Sequence, residues 1–392
     1  MKIYLYAVLT VTLAGCASPA PVKPIGGKGY LPEHVRHAED LEHHDDDILV
    51  LNPPANYVEN AKSLGLKLVE VTELSELGMK LYHMRIDTDH HPLHFREIHE
   101  ARFPGVIVDV HHHFGMHAAK VDKKYTGRGA AKWGQAAPGC GKGLKIGMLD
   151  SAVAKNHAAF TGKKIISKSF ILKGQKESNR EHGTAVASVL VGEKSWGGML
   201  PDATLYSAGV FHLGAKNRAR ASSKSILHAL EWMAKLNVDV VNISLGGALN
   251  KLVQEVVKAA NAKGIVIIAA VGNDGPFTKK RMYPAAYEEV IGIAAQDRFN
   301  RTARFSSKGD YVEFSAPGVD IWSAIPKGGK PMSGTSFASP IATGIAAAGI
   351  KYKNIQGVEG VRKYLKSLAT DRGKKGWDKF TGWGSIAAKP PC

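Results

Sequence analysis

Apolar positions along the 392 residues fall into two patterns that change character near residue 120. In the first, short apolar runs alternate with amphipathic stretches. Ile48-Leu49-Val50-Leu51 is a run of strand type. Residues 56–64 carry apolar side chains at helical spacing and stop at Gly65. Residues 66–71 and 79–86 alternate apolar with polar, as strands with one buried face do. Residues 94–102 predict a second helix and residues 106–110 a last strand. The order β-α-β-β-α-β is a ferredoxin-like α+β arrangement, placed over residues 46–117. In the second pattern, residues 144–149, 238–245 and 265–271 are nearly continuous apolar runs. Helical periodicity fills residues 222–236 and 252–263 between them. Buried strands alternating with helices imply a mostly parallel sheet covered on both faces, a three-layer α/β/α domain over residues 143–392. Reactive groups in such a sheet gather at the carboxyl ends of the strands.

Composition adds a division of charge. Fifty-two Lys and Arg face 35 Asp and Glu, a net +17. An apolar share of 44% excludes global disorder and a collagen-like repeat. No run past the extreme N-terminus reaches the roughly 18 apolar residues of a spanning helix. Residues 1–120 hold 11 basic against 16 acidic side chains, and residues 121–392 hold 41 against 19. Thirteen of the 17 histidines lie in the first part. The lysines are scattered, as on a solvated surface. Attraction to an acidic partner, such as a membrane, DNA or the acidic first part itself, stays open. No nucleic-acid motif accompanies the charge, so no specific nucleic acid is expected. His90-His91 and His111-His112-His113 raise a metal site, but neighbouring strand residues point to opposite faces, which favours a satisfied or solvated cluster. A pH switch is the third reading.

The extreme N-terminus reads as an address. Lys2 precedes an apolar run from Ile3 to Leu13, then Ala14, Gly15 and Cys16, the layout of a secretory signal over residues 1–15. Leu13-Ala14-Gly15-Cys16 resembles the lipobox of bacterial lipoproteins. The resemblance implies that Cys16 is acylated and becomes the new N-terminus, held to a membrane by several chains. Ala17 and Ser18, with no Asp after the cysteine, resemble the outer-membrane sorting pattern. The protein would face the periplasm or the cell surface. Residues 16–45 are rich in Pro, Gly, His and acidic residues and read as a flexible tether, and residues 118–142 as a second linker or arm. Cys140 and Cys392 either pair in an oxidising compartment or stay as free thiols.

Candidate chemistry lies in the second pattern. Asp150 ends the first buried run, His182 opens the helical stretch His182-Gly183-Thr184, and Ser336 lies in Ser333-Gly334-Thr335-Ser336-Phe337-Ala338-Ser339-Pro340 at a helix entrance. A hydroxyl nucleophile needs a base, and the base needs an orienting acid. Asn273 ends a strand and offers a side-chain amide. The order Asp, His, Ser, with separations of 32 and 154 residues, resembles the subtilisin-type serine proteases over about residues 143–387. That resemblance implies Ser336 as nucleophile, His182 as base, Asp150 as its orienting acid, and an oxyanion hole from Asn273 and the Ser336 backbone N–H. It also implies that Ser244-Leu245-Gly246-Gly247 pairs with substrate backbone, and that Gly272 and Met282 border the P1 pocket. Met282 stands where Gly is common, which implies small or medium P1 side chains. Ala152 and Ser188 replace family glycines and bear on packing.

By the same resemblance, the small domain is an inhibitory propeptide cut within residues 116–120. The partners are then polypeptide substrates, the propeptide and, through the lipid, a membrane. Cleavage would release the catalytic domain from its anchor. Thirteen histidines in the acidic part suggest a propeptide that loosens as pH falls. The chemistry requires no cofactor, and no acidic loop supports the structural calcium common in the family. A catalytically silent subtilisin-like binding lipoprotein is the alternative.

Overall fold

The computed structural model describes residues 43–87, 92–115, 125–134, 137–214, 217–278 and 280–387. The signal, Cys16, residues 17–42, the expected cleavage segment 116–120 and Cys392 lie outside the described residues. The N-terminal unit has strands His43–Leu51, Leu66–Leu74, Met79–Ile86 and Ile107–Gly115, with helices Tyr57–Ala61 and Pro92–Arg102. The second strand lies at the edge, followed by the third, the first and the fourth, antiparallel throughout. The first strand begins at His43, ahead of the expected boundary, because its first residues pair with the fourth strand at His112. Gly65 closes the first helical segment at φ +74, a conformation a side chain would strain. One sheet face packs Ile48, Val50, Met84, Val108 and Val110 on Tyr57 and Phe95. The opposite face turns Leu49, Leu51 and Leu81 toward the second unit. Alternation buries both faces.

The second unit holds a nine-stranded sheet. Its central strands, Lys145–Asp150, Thr204–Gly209, Val240–Ile243, Val266–Ala270 and Ile291–Gln296, run parallel. Among the described residues only the edge pair Ala369–Thr370 with Ser385–Ile386 is antiparallel within it. Ile146, Met148, Val240 and Ile268 face helices Glu181–Val191 and Thr335–Tyr352. Leu149, Val241, Ile243 and Ile267 face helices Ser223–Lys235 and Lys251–Ala262. A parallel sheet needs this double cover, since each buried Ile, Leu or Val adds about 1.5–3 kcal/mol. Residues 125–134 of the second expected linker are packed structure. Trp133 is fully buried and donates to the Met199 carbonyl at 3.0 Å, and the Arg128 guanidinium donates to Gly198 O and Met199 O. Burial lowers the Arg128 pKa to about 10. Cys140 is buried and disulfide-bonded, and its partner lies outside the described residues.

One sheet joins the units. His113, Phe114 and Gly115 pair antiparallel with Ser222, Ala221 and Arg220, so the N-terminal sheet continues into strand Ala219–Ser222 of the second unit. Glu231 accepts from the N–H groups of Glu76 and Leu77, and Asp109 accepts from Lys251 N at the start of a helix, which satisfies otherwise open donors. Three carboxylates of the acidic unit, Glu70, Glu76 and Glu100, reach Lys224, Lys263 and Lys251 of the basic one. The charge division along the chain thus has an internal partner.

His99 is fully buried against Tyr57, whose hydroxyl lies 2.6 Å from Nε2, and desolvation lowers its pKa from 6.5 to about 4. The imidazole takes a proton more readily in the unfolded chain. Its stabilising share is therefore complete above pH 6.5 and is lost as the pH falls toward 4. Melting of the full chain is expected to lose roughly 3 kcal/mol from this group over that interval. His99→Gln should flatten the pH dependence, and an unchanged slope would refute the assignment.

Candidate active site

Asp150 stands at the carboxyl end of Lys145–Asp150 with its side chain fully buried. Its Oδ1 accepts from Ser151 N at 2.7 Å and lies 2.8 Å from His182 Nδ1. His182 occupies the first turn of Glu181–Val191 and is 5% exposed. That helix is fastened to the Asp150 loop. Gly183 N donates to Ser151 Oγ at 2.8 Å, and Ala154 N donates to Thr184 Oγ1 at 2.9 Å. The imidazole is thereby held with Nδ1 on the carboxylate. Its Nε2 is buried and makes no hydrogen bond among the described residues.

Ser336 follows Thr335 in the first turn of Thr335–Tyr352, and the His182 ring lies 5.6 Å from that of the neighbouring Phe337. Ser336 Oγ donates to Ser244 O at 3.3 Å. A reactive hydroxyl commonly reaches its base only with substrate in place. Asn273 follows strand Val266–Ala270, and its Oδ1 accepts from both Thr335 N and Thr335 Oγ1 at 2.9 Å. Those two donors fix which way the amide faces. Nδ2 is the free end, buried and bonded to nothing among the described residues. A buried donor without an acceptor costs about 1–3 kcal/mol, so this one is open to an acceptor on a bound molecule.

Neighbouring strands supply the walls. Leu245 is buried, and Gly247 exchanges two backbone hydrogen bonds with Tyr283, at 2.9 and 3.0 Å. Ser244–Gly247 and Met282–Tyr283 therefore form one border. Met282 is 7% exposed and packs on Gly272, whose missing Cβ would lie 2.7 Å from Met282 Cγ at φ +100. The structure thus brings together Asp150, His182, Ser336, Asn273, Ser244, Leu245, Gly246, Gly272 and Met282.

Sequence reasoning missed the support beneath them. Asn242 Nδ2 donates to Ser244 Oγ at 2.8 Å, Ser244 Oγ donates to Ser336 O at 3.0 Å, and Asn242 Oδ1 accepts from Ser339 and Thr343. The signal was a lone amide inside a buried apolar strand. Ser188 joins helix to strand, because its hydroxyl donates to Ala185 O and accepts from Ala324 N.

The model of the Peptidase S8 subtilase family matches residues 141–384. The chain belongs to the subtilase family. It is 32% identical to subtilisin DY of Bacillus licheniformis over 243 residues, covering 59% of this chain and 86% of that protein. It is 33% identical over 260 residues to the minor extracellular protease Epr of Bacillus subtilis, covering 64% of this chain but 38% of that protein. The crystal structure of fervidolysin from Fervidobacterium pennivorans, a keratinolytic enzyme related to subtilisin, superposes with a TM-score of 0.72 at 21% identity. That match covers 88% of this chain and 60% of fervidolysin, and it shows a shared fold reaching past the family match. The protein is a subtilisin-family serine protease.

Three buried acid–base residues outside this site could hold a metal. Asp47, His83 and His111 offer ligand atoms within 4.8 Å of one another on adjacent strands. His83 Nε2 already meets Asp47 at 3.0 Å, and the Lys224 ammonium lies 3.4 Å from its Nδ1. A divalent cation there would face Lys224 and the Arg85 guanidinium on Asp47. The cluster reads as an interfacial charge network. Of the metal candidates raised by the sequence, His111 and His112 are buried in strand pairing, while His90 and His91 lie outside the described residues.

Gly183 tests the local geometry. A Cβ there would lie 2.0 Å from the Ser151 carbonyl oxygen. Gly183→Ala is expected to displace the His182 turn, cost about 1–3 kcal/mol in stability and lower peptidase activity. Melting and casein hydrolysis measured side by side check it.

Proposed function

We propose that this protein is an exported serine endopeptidase made as a self-inhibited, self-processing precursor. The observation that carries the reading is the convergence of the Asp150–His182 pair, Ser336 and the unbonded Asn273 amide at the carboxyl edge of one parallel sheet. Ser336 Oγ leaves the Ser244 carbonyl and attacks the scissile carbonyl while His182 Nε2 takes its proton. Asp150 holds the imidazole tautomer and balances the charge that forms. Negative charge develops on the substrate oxygen, which receives hydrogen bonds from Asn273 Nδ2 and the Ser336 backbone N–H. The proton passes from His182 to the departing amine, leaving an acyl-serine. Water attacks that ester with His182 as base, and the acid product leaves.

Residues 46–117 act in this reading as the inhibitory propeptide. Support comes from the pairing of His113, Phe114 and Gly115 with Ser222, Ala221 and Arg220, the mode by which an extended peptide adds to a sheet edge. The chain leaves this pairing toward residues 116–120, the expected point of cleavage. Acylation of Cys16 would anchor the precursor, and cleavage would free the catalytic unit from the anchor. Substrate enters between Ser244–Gly246 and Ala219–Ser222, with Met282 against Gly272 limiting the P1 side chain. A catalytically silent binding protein would have no need of a complete set of Asp150, His182, Ser336 and Asn273.

Ser336→Ala is expected to abolish both size maturation and casein hydrolysis. Wild type and variant that mature and cleave alike would refute the protease reading. Asn273→Ala should lower kcat about 10²–10³-fold with the fold intact. Met282→Gly is expected to admit Phe and Tyr at P1 in a peptide library, where the parent prefers smaller side chains. N-terminal sequencing of membrane and soluble fractions should find the soluble enzyme beginning within residues 116–120. An active membrane-bound enzyme that still begins at Cys16 would exclude release.

A further inference from the structure

The catalytic unit carries a second face with its own chemistry. Exposed aromatic rings cluster there: Phe277 is 92% exposed, Phe299 69%, Trp377 38% and Phe380 37%. The Lys308 ammonium sits between two of them, 5.5 Å from the Phe277 centroid and 5.2 Å from that of Phe380. Lys379 stacks on Phe380 at 5.6 Å and Arg301 on Phe299 at 5.0 Å. Two of these rings, Trp377 and Phe380, line a cleft of about 780 Å³ together with Arg301, Arg372, Lys374 and Lys379 among others.

The cleft is built rather than loose. Trp377 Nε1 donates to Val312 O at 2.9 Å, which fixes the indole. Among the described residues Asp378 is the one carboxylate lining the cleft, and it is occupied by Phe380 N, Thr381 N and Thr381 Oγ1. Arg301 is paired with Asp297. No carboxylate among the described residues lies within ion-pair distance of Arg372, Lys374 or Lys379. The face therefore combines concave positive charge with apolar rings at its rim.

We propose that this face docks on a lipid bilayer containing anionic phospholipids. The cations would take headgroup phosphates, and Phe277 and Phe299 would enter the boundary of the acyl region. A bilayer surface is the partner that uses both features. Interfacial anchors pair aromatic rings with Lys and Arg, and anionic leaflets attract such clusters. A soluble polyanion would use the cations and leave Phe277, almost fully exposed, without a role. The cations also form one local cleft, whereas a strand-binding channel tracks a backbone over several nucleotides. Phe277 follows Asn273 in the same loop, so docking would hold the peptide cleft beside the membrane surface. Docking by this face would not require acylation of Cys16.

The test uses the full chain carrying Cys16→Ser and Ser336→Ala, which removes the lipid site and self-cleavage. Sedimentation with mixed phosphatidylglycerol–phosphatidylcholine vesicles is expected to capture it, and pure phosphatidylcholine vesicles should not. Lys374→Gln with Lys379→Gln should weaken capture about 25-fold, since each cation near an anionic leaflet strengthens binding about fivefold. Phe277→Ala with Phe299→Ala should weaken it about tenfold or more, with melting unchanged in both variants. Absence of capture overturns the proposal. So does a loss in the lysine pair alone together with equally tight binding of single-stranded DNA or heparin, which assigns the cleft to a soluble polyanion.

Discussion

Strand Lys145–Asp150 lies in parallel register between Val240–Ile243 and Thr204–Gly209, and the remainder of the molecule depends on that pairing. Val240 sits opposite Ile146 and Ile243 opposite Leu149, so Asp150 and Ser244 reach the same edge together. Val266–Ala270 extends the register and delivers Asn273 beside them. A slip of one residue would invert every side chain between the two faces. With both faces covered by helices, such a slip would set each side chain against the wrong helix layer and carry Asp150 off the shared edge, and the register is correspondingly firm.

The reactive edge is completed by helices that enter it through their N-termini. Glu181–Val191 brings His182 and Thr335–Tyr352 brings Ser336. Each is held by buried polar contacts, Ser151 and Thr184 for the first, and Ser244, Asn242 and Thr335 for the second. Unsatisfied, these groups would oppose folding. Satisfied, they lock the relative placement of strand and helix, which a purely apolar contact leaves freer. Besides Asp150 Oδ2, two atoms of this edge are left buried without a hydrogen bond among the described residues, Asn273 Nδ2 and His182 Nε2. Both lie where a peptidase develops charge or moves a proton.

The same backbone pairing joins the N-terminal unit to the second one. Its fourth strand runs on past Val110 through the histidines to Gly115 because Ala219–Ser222 offers an open edge. Leucines from both units share one core beneath it, and lysine–carboxylate pairs surround it. Exposed ion pairs of this kind add about 0–1 kcal/mol each, so the shared core and the strand pairing carry the attachment and the charges orient it.

Much of this is legible in the sequence for physical reasons. Helical and strand periodicities are local, so the β-α-β-β-α-β order and the alternation that follows can be read from the positions of Ile, Val and Leu. Asp150, His182 and Ser336 can be read as a candidate set because their order and spacing resemble those of the subtilisin-type serine proteases. The strand ending at Gly115 looks as if it stops at residue 110, since His111 to His113 lack apolar alternation; His112 pairs with His43, and His113 to Gly115 gain their order from a strand more than a hundred residues away. Asn242 reads as an ordinary polar interruption because its partners come from a strand end and a helix far along the chain. The basic and aromatic residues of the second face are dispersed between positions 277 and 380, and neither periodicity nor spacing relates them. By itself, the sequence determined the elements, their order and a set of candidate reacting groups, because these follow from nearest neighbours and from a resemblance in motif and spacing. Tertiary structure alone decided that Asn242 braces Ser244 beneath Ser336, which edge the acidic unit occupies, and which scattered cations and rings share a cleft. Those depend on register and packing between segments that the chain keeps far apart.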